Sequence, residues 1–201
     1  MRLMHGKMSP FVRKVMIAAI EKGLEKQIEL VPTAVGAGKI NPDLFKINPI
    51  GKIPALVLDD GSAVYDSLVI CDYFDSLAPA PRLVPTETSA RLAVLRLNAI
   101  ADGLLTAGVL YKGELSRPPE RQWPEWLEAQ GAKTRKCVAA LDGEIAKAGQ
   151  ELNVGTIAAI CAIGWVDFRA PEITWRSDYP KLAAWFDEQS KRDSVARTKP
   201  A

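Results

Sequence analysis

The sequence predicts an α/β domain at the N-terminus plus an all-α C-terminal helical domain. Three observations carry this. Apolar patterning alternates between strand and helix periods over residues 1–78, a proline-rich linker occupies 79–86, and from 87 to 201 only the helical period recurs.

Arg2-Leu3-Met4 reads as a short first strand and His5-Gly6-Lys7-Met8 as a polar loop. Ser9-Pro10 opens a helix with two start signals, Ser at the N-cap and Pro at the first helical position. Val12, Val15, Met16, Ala19 and Ile20 form its apolar stripe, and Gly23 ends it after Lys22. Ile28 to Val31 alternates as a second strand, stopped by Pro32. Gly36-Ala37-Gly38-Lys39 is a glycine loop rather than a phosphate-binding loop. That motif needs Gly where Thr33 stands, and Ser or Thr where Ile40 stands. Asn41-Pro42 begins a short helix ending near Ile47.

Gly51-Lys52-Ile53-Pro54 then leads into a strand from Ala55 to Leu58. Pro54 cannot donate a ladder hydrogen bond, so it belongs at the strand's first residue or at an edge. The Ile53 backbone is then free to pair with a ligand's peptide group, and a cis Ile53-Pro54 bond would turn it outward. Asp59-Asp60-Gly61-Ser62 is a hairpin turn, so Ala63 to Tyr65 should pair antiparallel. Asp66-Ser67 starts another helix with Asp66 at the N-cap, and Leu68, Val69, Tyr73 and Leu77 are its expected inner face.

Past the linker, Leu92, Leu95 and Ala99 predict a long helix from Glu87 to about Leu110, and Pro118-Pro119 interrupts. Leu127, Val138, Leu141 and Ile145 line a second helix from Pro124 to Gly149. Thr156 is the expected cap of a third, Ile157 to Arg169, apolar nearly all round and therefore the buried centre of this half. Leu182, Trp185 and Phe186 face inward on a fourth, Asp178 to Arg192.

A net charge of +2 with interspersed signs leaves no electrostatic footprint for nucleic acid. The first nine residues lack the apolar core of a signal peptide, and the longest mostly apolar run, Ile157 to Val166, is too short to span a bilayer. Cys71, Cys137 and Cys161 have neither CxxC nor metal spacing and read as reduced thiols. The single His5 provides neither a triad nor a His-based metal site. The expectation is a cytoplasmic protein with no metal, no membrane partner and no nucleic acid.

Three stretches occur in one order and spacing: Ser9-Pro10-Phe11-Val12-Arg13-Lys14-Val15, Asn48-Pro49-Ile50-Gly51-Lys52-Ile53-Pro54-Ala55-Leu56, and Asp66-Ser67. They resemble the glutathione-binding domain of the cytosolic glutathione S-transferase family, in a bacterial subgroup with serine at the thiol-activating position. Gly164-Trp165-Val166-Asp167-Phe168-Arg169 and Ser194-Val195-Ala196-Arg197-Thr198-Lys199-Pro200 are similar to the family's second domain. The resemblance implies a thioredoxin-like first domain, a cis-proline at Pro54, glutathione as cosubstrate, and a homodimer. There is one departure. The family often places Asp three residues after the Ser or Thr cap of its central second-domain helix, where this chain has Ala159, and Gly155 gives no hydrophobic staple. Ala159→Asp is therefore expected to stabilise that helix.

By the resemblance, Ile53 pairs its backbone with the cysteinyl part of glutathione. Asp66 meets the γ-glutamyl amine, Ser67 with its helix N-terminus takes the γ-glutamyl carboxylate, and Lys52 faces the glycyl carboxylate. Ser9 would activate the thiol. Lowering its pKa from about 8.5 by about two units takes roughly 2.7 kcal/mol. A helix N-terminus supplies about 0.3–1 kcal/mol and a hydroxyl hydrogen bond to a charged acceptor about 1.5–3 kcal/mol. Ser9 can equally be read as a helix cap alone. An electrophile site is expected between the domains, lined by Phe11, Leu104 and Tyr111. The implied function is detoxification, by conjugating glutathione to small hydrophobic electrophiles. The alternatives are a glutathione-dependent disulfide or peroxide reductase, and a non-catalytic binding or regulatory protein on the same fold.

Overall fold

Strand and helix alternate through the first half as the patterning predicts: β1 (Arg2–His5), α1 (Pro10–Glu21), β2 (Glu29–Pro32), α2 (Pro42–Ile47), β3 (Ala55–Val57), β4 (Ala63–Val64) and α3 (Ser67–Leu77). The computed structural model describes residues 1–36, 38–78 and 80–200, so Ala37 of the glycine loop and Pro79 of the linker lie outside the described residues. The strands form one sheet in the order β2-β1-β3-β4. β1 runs parallel to β2 and antiparallel to β3, and β4 is antiparallel to β3. This is a thioredoxin-like unit.

Local chemistry explains the helix ends. The Ser9 hydroxyl accepts the Val12 N–H at 3.3 Å and Pro10 occupies the first turn of α1. Gly23 follows at φ +69°, a conformation that costs glycine nothing. On α3 the buried face differs from the expected one. Ile70, Cys71, Phe74 and Asp75 are enclosed, whereas Val69 and Leu77 are about half exposed. Asp75 goes inward because a cation meets it there. Lys22 Nζ donates to Asp75 Oδ1 at 2.9 Å and to the carbonyls of Ala78 (2.5 Å) and Pro81 (2.7 Å). Asp75 also accepts the N–H groups of Leu83 (2.7 Å) and Val84 (3.1 Å). All three ammonium protons are used, which is the condition for a buried lysine to be tolerated.

The second half is helical: α4 (Thr88–Leu115), α5 (Pro124–Ala148), α6 (Val154–Arg169) and α7 (Pro180–Gln189). α4 packs on both α5 and α6. α6 is buried almost throughout, as its all-round apolarity predicts. α4 turns Leu97, Ala101, Leu104, Leu105 and Gly108 inward and leaves Leu92 and Ala99 exposed, contrary to the expected face. A Cβ at Gly108 would lie 2.4 Å from the Trp165 ring, so this glycine admits the indole against the helix backbone. By length and hydropathy α4 could cross a membrane, which the shorter Ile157 to Val166 run could not; in this fold the face from Leu97 to Gly108 is buried.

The start of α6 corrects a second reading. Its N-cap is Asn153, whose Oδ1 accepts the Thr156 N–H at 3.0 Å, while the Thr156 hydroxyl accepts the Asn153 N–H at 2.8 Å. Thr156 is thus the returning arm of a capping box rather than the cap. Ala159 falls deeper in the helix and is fully buried. An acid there would enter the core instead of completing a cap.

The chain forms two compact units, Met1–Pro85 with the tail from Asp193 onward, and Thr86–Arg192. The tail therefore belongs with the sheet rather than with the helices, unlike the 87–201 boundary read from the sequence. Its short helix α8 (Asp193–Arg197) lies against α1.

Candidate active site

Sheet register gathers the expected residues at one end of the first unit. Met4, near the end of β1, pairs with Ala55 at the start of β3, and Val57 at the end of β3 pairs with Ala63 at the start of β4. The loop leaving β1 (Gly6 to Ser9), the segment leading into β3 (Lys52 to Pro54) and the segment leaving β4 (Asp66, Ser67) consequently share one edge. A Cβ on Gly6 would meet Ile53 Cδ1 at 2.7 Å, so the Ser9 loop and Ile53 are in direct contact.

Each segment is fixed from below. The Ile53-Pro54 bond is cis, as expected, and so is Tyr65-Asp66. Asn48, only 2 % exposed, donates from Nδ2 to the Lys52 carbonyl at 2.7 Å and accepts the Ile50 N–H at 3.0 Å. Gly51 sits at φ +67° with the Phe45 ring 2.8 Å from where a Cβ would be. Asn48 was not singled out from the sequence. The signal was its place just before Pro49 and Gly51, where an Asn side chain commonly bonds the backbone of a turn.

Ile53 and Pro54 are buried, but among the described residues the Ile53 backbone N–H and C=O have no hydrogen-bond partner. They form an unpaired strand edge of the kind an extended peptide can join. Lys52 is exposed. Asp66 is exposed and caps α3, its Oδ1 accepting the Leu68 N–H at 3.0 Å. Ser67 is 2 % exposed, and its hydroxyl has no partner among the described residues. Among the described residues no side-chain oxygen is both buried and unpaired, so the Ser67 hydroxyl is reached by solvent, at the start of an eleven-residue helix whose first N–H groups carry partial positive charge.

The Ser9 hydroxyl only accepts, from Val12, so its own proton remains available to donate. It stands at the positive end of α1. His5 ends β1 half-buried, and burial first, then the charge of Lys7, pushes its pKa below the usual histidine value. Phe11 is half-buried in the first turn of α1, and Lys14 Nζ stands 5.9 Å from its ring centre. In the other unit, Tyr111 is half-buried on α4 and Leu104 is fully buried on the same helix, a core position offering no surface to a small molecule. A cleft of about 560 Å³ lies at the opposite end of the sheet, lined by Met1, Arg2, Val57, Asp59 and neighbours, away from all these groups.

The free Ile53 backbone thus lies at the end of the sheet where two helices of a thioredoxin-like domain begin, one of them carrying a hydroxyl proton free to donate. Residues 8–77 match the family model of the glutathione S-transferase N-terminal domain, and residues 124–188 match that of the C-terminal domain. The chain belongs to the glutathione S-transferase family. It is 32% identical over 204 residues to the GST-like protein YibF of Escherichia coli K12, covering 100% of this chain and 98% of that protein. A glutathione transferase family member from Pseudomonas fluorescens Pf-5, solved with bound glutathione, is similar with a TM-score of 0.96 at 41% identity, covering 100% and 98% of the two chains. A glutathione S-transferase from Methylobacillus flagellatus KT, also with glutathione bound, gives 0.90 at 32% identity, covering 100% and 99%.

Proposed function

We propose that this protein binds glutathione along the Ile53 strand edge, stabilises its thiolate with Ser9, and conjugates it to small hydrophobic electrophiles as a detoxifying cytoplasmic homodimer. The observation that carries the reading is the Ile53 backbone, whose N–H and C=O have no hydrogen-bond partner among the described residues, at the end of the sheet where α1 and α3 begin. An extended peptide supplies those partners by joining the free edge, and its γ-glutamyl carboxylate meets the Ser67 hydroxyl and the N-terminus of α3. Asp66 then faces the γ-glutamyl amine, the free Ile53 backbone takes the cysteinyl amide groups, and exposed Lys52 faces the glycyl carboxylate. That pose leads the thiol toward the Ser9 loop, which touches Ile53. Both glutathione-bound relatives support the choice of peptide.

The deciding experiment is Ser9→Ala. It deletes the hydroxyl proton and leaves Pro10 and the helix N-terminus in place. Ultraviolet titration of bound glutathione should show the thiol pKa rising by about one to two units, the value of one hydrogen bond to a charged acceptor. Turnover should fall near neutrality and recover in part at alkaline pH, with affinity little changed. An unmoved thiol pKa and unmoved turnover would reduce Ser9 to a helix cap.

A further inference from the structure

Asn48 stands directly after α2 with its side chain enclosed. Its backbone N–H donates to the carbonyl of Leu44, a core residue of that helix, at 2.8 Å. Its own carbonyl accepts the Gly51 N–H at 2.9 Å, and its Oδ1 accepts the Ile50 N–H at 3.0 Å, so the turn from Asn48 to Gly51 closes on this residue twice. An Asn that builds a turn needs only the bond to the backbone two residues on. Here Nδ2 reaches past the turn and donates to the Lys52 carbonyl at 2.7 Å.

The Lys52 carbonyl and the Ile53 N–H belong to one peptide unit. That unit is trans, so its C=O and N–H point to opposite sides of the chain. Drawing the carbonyl inward onto Asn48 therefore turns the Ile53 N–H outward, away from the turn. The Ile53 side chain is seated separately, its Cδ1 filling the space that a Cβ on Gly6 would need. Without the Asn48 bond the Lys52–Ile53 peptide plane gains freedom to rotate, and a ligand that pairs with the N–H must then bear the cost of ordering it.

We propose that Asn48 is a positioning residue for glutathione: by holding the Lys52 carbonyl it presents the Ile53 N–H to the carbonyl of the cysteinyl residue. It acts through the Lys52–Ile53 peptide and not by touching the ligand. This inference rests on the glutathione reading given above.

The test uses the full chain, glutathione, and the variants Asn48→Asp and Asn48→Ala. Asn48→Asp keeps the size of the side chain and the Oδ1 acceptor of the turn, and puts an acceptor where the donor to Lys52 stood. Asn48→Ala removes both side-chain bonds. Each should weaken glutathione binding in calorimetry by about three- to tenfold, the worth of about one hydrogen bond. The thiol pKa of bound glutathione should keep its wild-type value, since Ser9 and the start of α1 are untouched. Amide hydrogen exchange at Ile53 reads the proposed contact directly. In the wild type this amide should exchange freely without ligand and slowly with glutathione; in both variants the slowing should be largely lost even at saturating glutathione. A side chain that only builds the turn would lower the urea midpoint and leave both the affinity and the Ile53 protection of the folded protein at wild-type values, which overturns the proposal. If Asn48→Ala does not fold, Asn48→Asp decides by the same two readings. If neither folds, the unliganded wild type decides: a freely exchanging Ile53 amide supports the outward orientation, and an amide already protected overturns it. A wild type that protects Ile53 on binding glutathione, with variants that behave like it, sinks only this inference. A wild type that does not bind glutathione, or binds it without protecting Ile53, removes the glutathione reading itself.

Discussion

Lys22→Met isolates the buried clasp between α1, α3 and the start of the linker. Methionine keeps the length of the side chain and removes the charge. In the wild type the Lys22 side chain is fully enclosed and that of Asp75 is 4 % exposed. Removing one partner of a buried pair costs about 3–5 kcal/mol. Here the remaining carboxylate keeps the N–H groups of Leu83 and Val84, and half-exposed Arg82 stands 3.7 Å away. The Ala78 and Pro81 carbonyls lose their donor. The retained bonds pull the cost to the lower end of the range, about 3 kcal/mol, which for a chain of this size lowers Tm by roughly 10 °C.

The loss should also depend on pH in a defined direction. Burial pushes the Asp75 carboxyl up, but the N–H groups of Leu83 and Val84 and the Lys22 ammonium outweigh it, so the pKa lies below the usual aspartate value. A depressed folded pKa contributes stability above the unfolded value of about 3.9 and loses it as pH falls through the folded value. Without Lys22 the lowering contributions shrink while burial stays, so the Asp75 pKa rises and mild acid neutralises the orphaned charge. The gap between wild type and variant should therefore be widest near pH 7 and narrow below about pH 4. Urea unfolding should be followed by far-ultraviolet circular dichroism, because all five tryptophans lie between residues 123 and 185, outside the unit that holds the clasp. A loss under about 1 kcal/mol at pH 7, the worth of an exposed pair, or a gap that does not close in acid, would refute the reasoning.

Two further outcomes follow from the site and from α6. Asp66→Ala should leave the fold intact, since a lost cap costs about 0.5–2 kcal/mol, yet weaken glutathione binding by about ten- to a hundredfold through the lost charge-assisted contact; unchanged affinity by calorimetry would mean the γ-glutamyl end binds elsewhere. Ala159→Asp should lower Tm, because residue 159 is fully buried inside α6 and the cap is already complete through Asn153 and Thr156; a raised Tm would restore Thr156 as the cap.

What the sequence reveals and what it hides separates along the range of the interactions. Ser9-Pro10, Gly23, Asn41-Pro42, the Asp59 to Ser62 turn and Asp66 each act within a few residues, so their meaning can be read locally, and every one stands where it was expected. The buried faces of α3 and α4 could not be read so. Both helices carry apolar residues on more than one side, so periodicity alone offers several stripes. The decision falls to distant partners: Lys22 for Asp75, fifty-three positions apart, and Trp165 for the gap at Gly108. The same limit hid the return of the tail to α1, which rests on Arg13 and Glu21 meeting residues more than 170 positions away. At α6 the misreading was local. Asn153 and Thr156 are both good caps, and only the reciprocal hydrogen bonds distinguish the cap from its returning arm.

The site was legible because backbone, more than side chains, builds it. Pro54 and Gly51 constrain the chain wherever they occur, and a helix start exposes N–H groups whatever follows. Two such starts at one end of the sheet offer two separate partial positive charges, each about half a unit; glutathione, the proposed ligand, carries a thiol at its centre and a carboxylate at its γ-glutamyl end. If α1 serves the thiol and α3 the carboxylate, binding and activation are divided between them. Ser9 should then move the thiol pKa with little effect on affinity, and Asp66 should move affinity with little effect on the thiol pKa. A residue that moved both together would imply that the two helix starts act as one site.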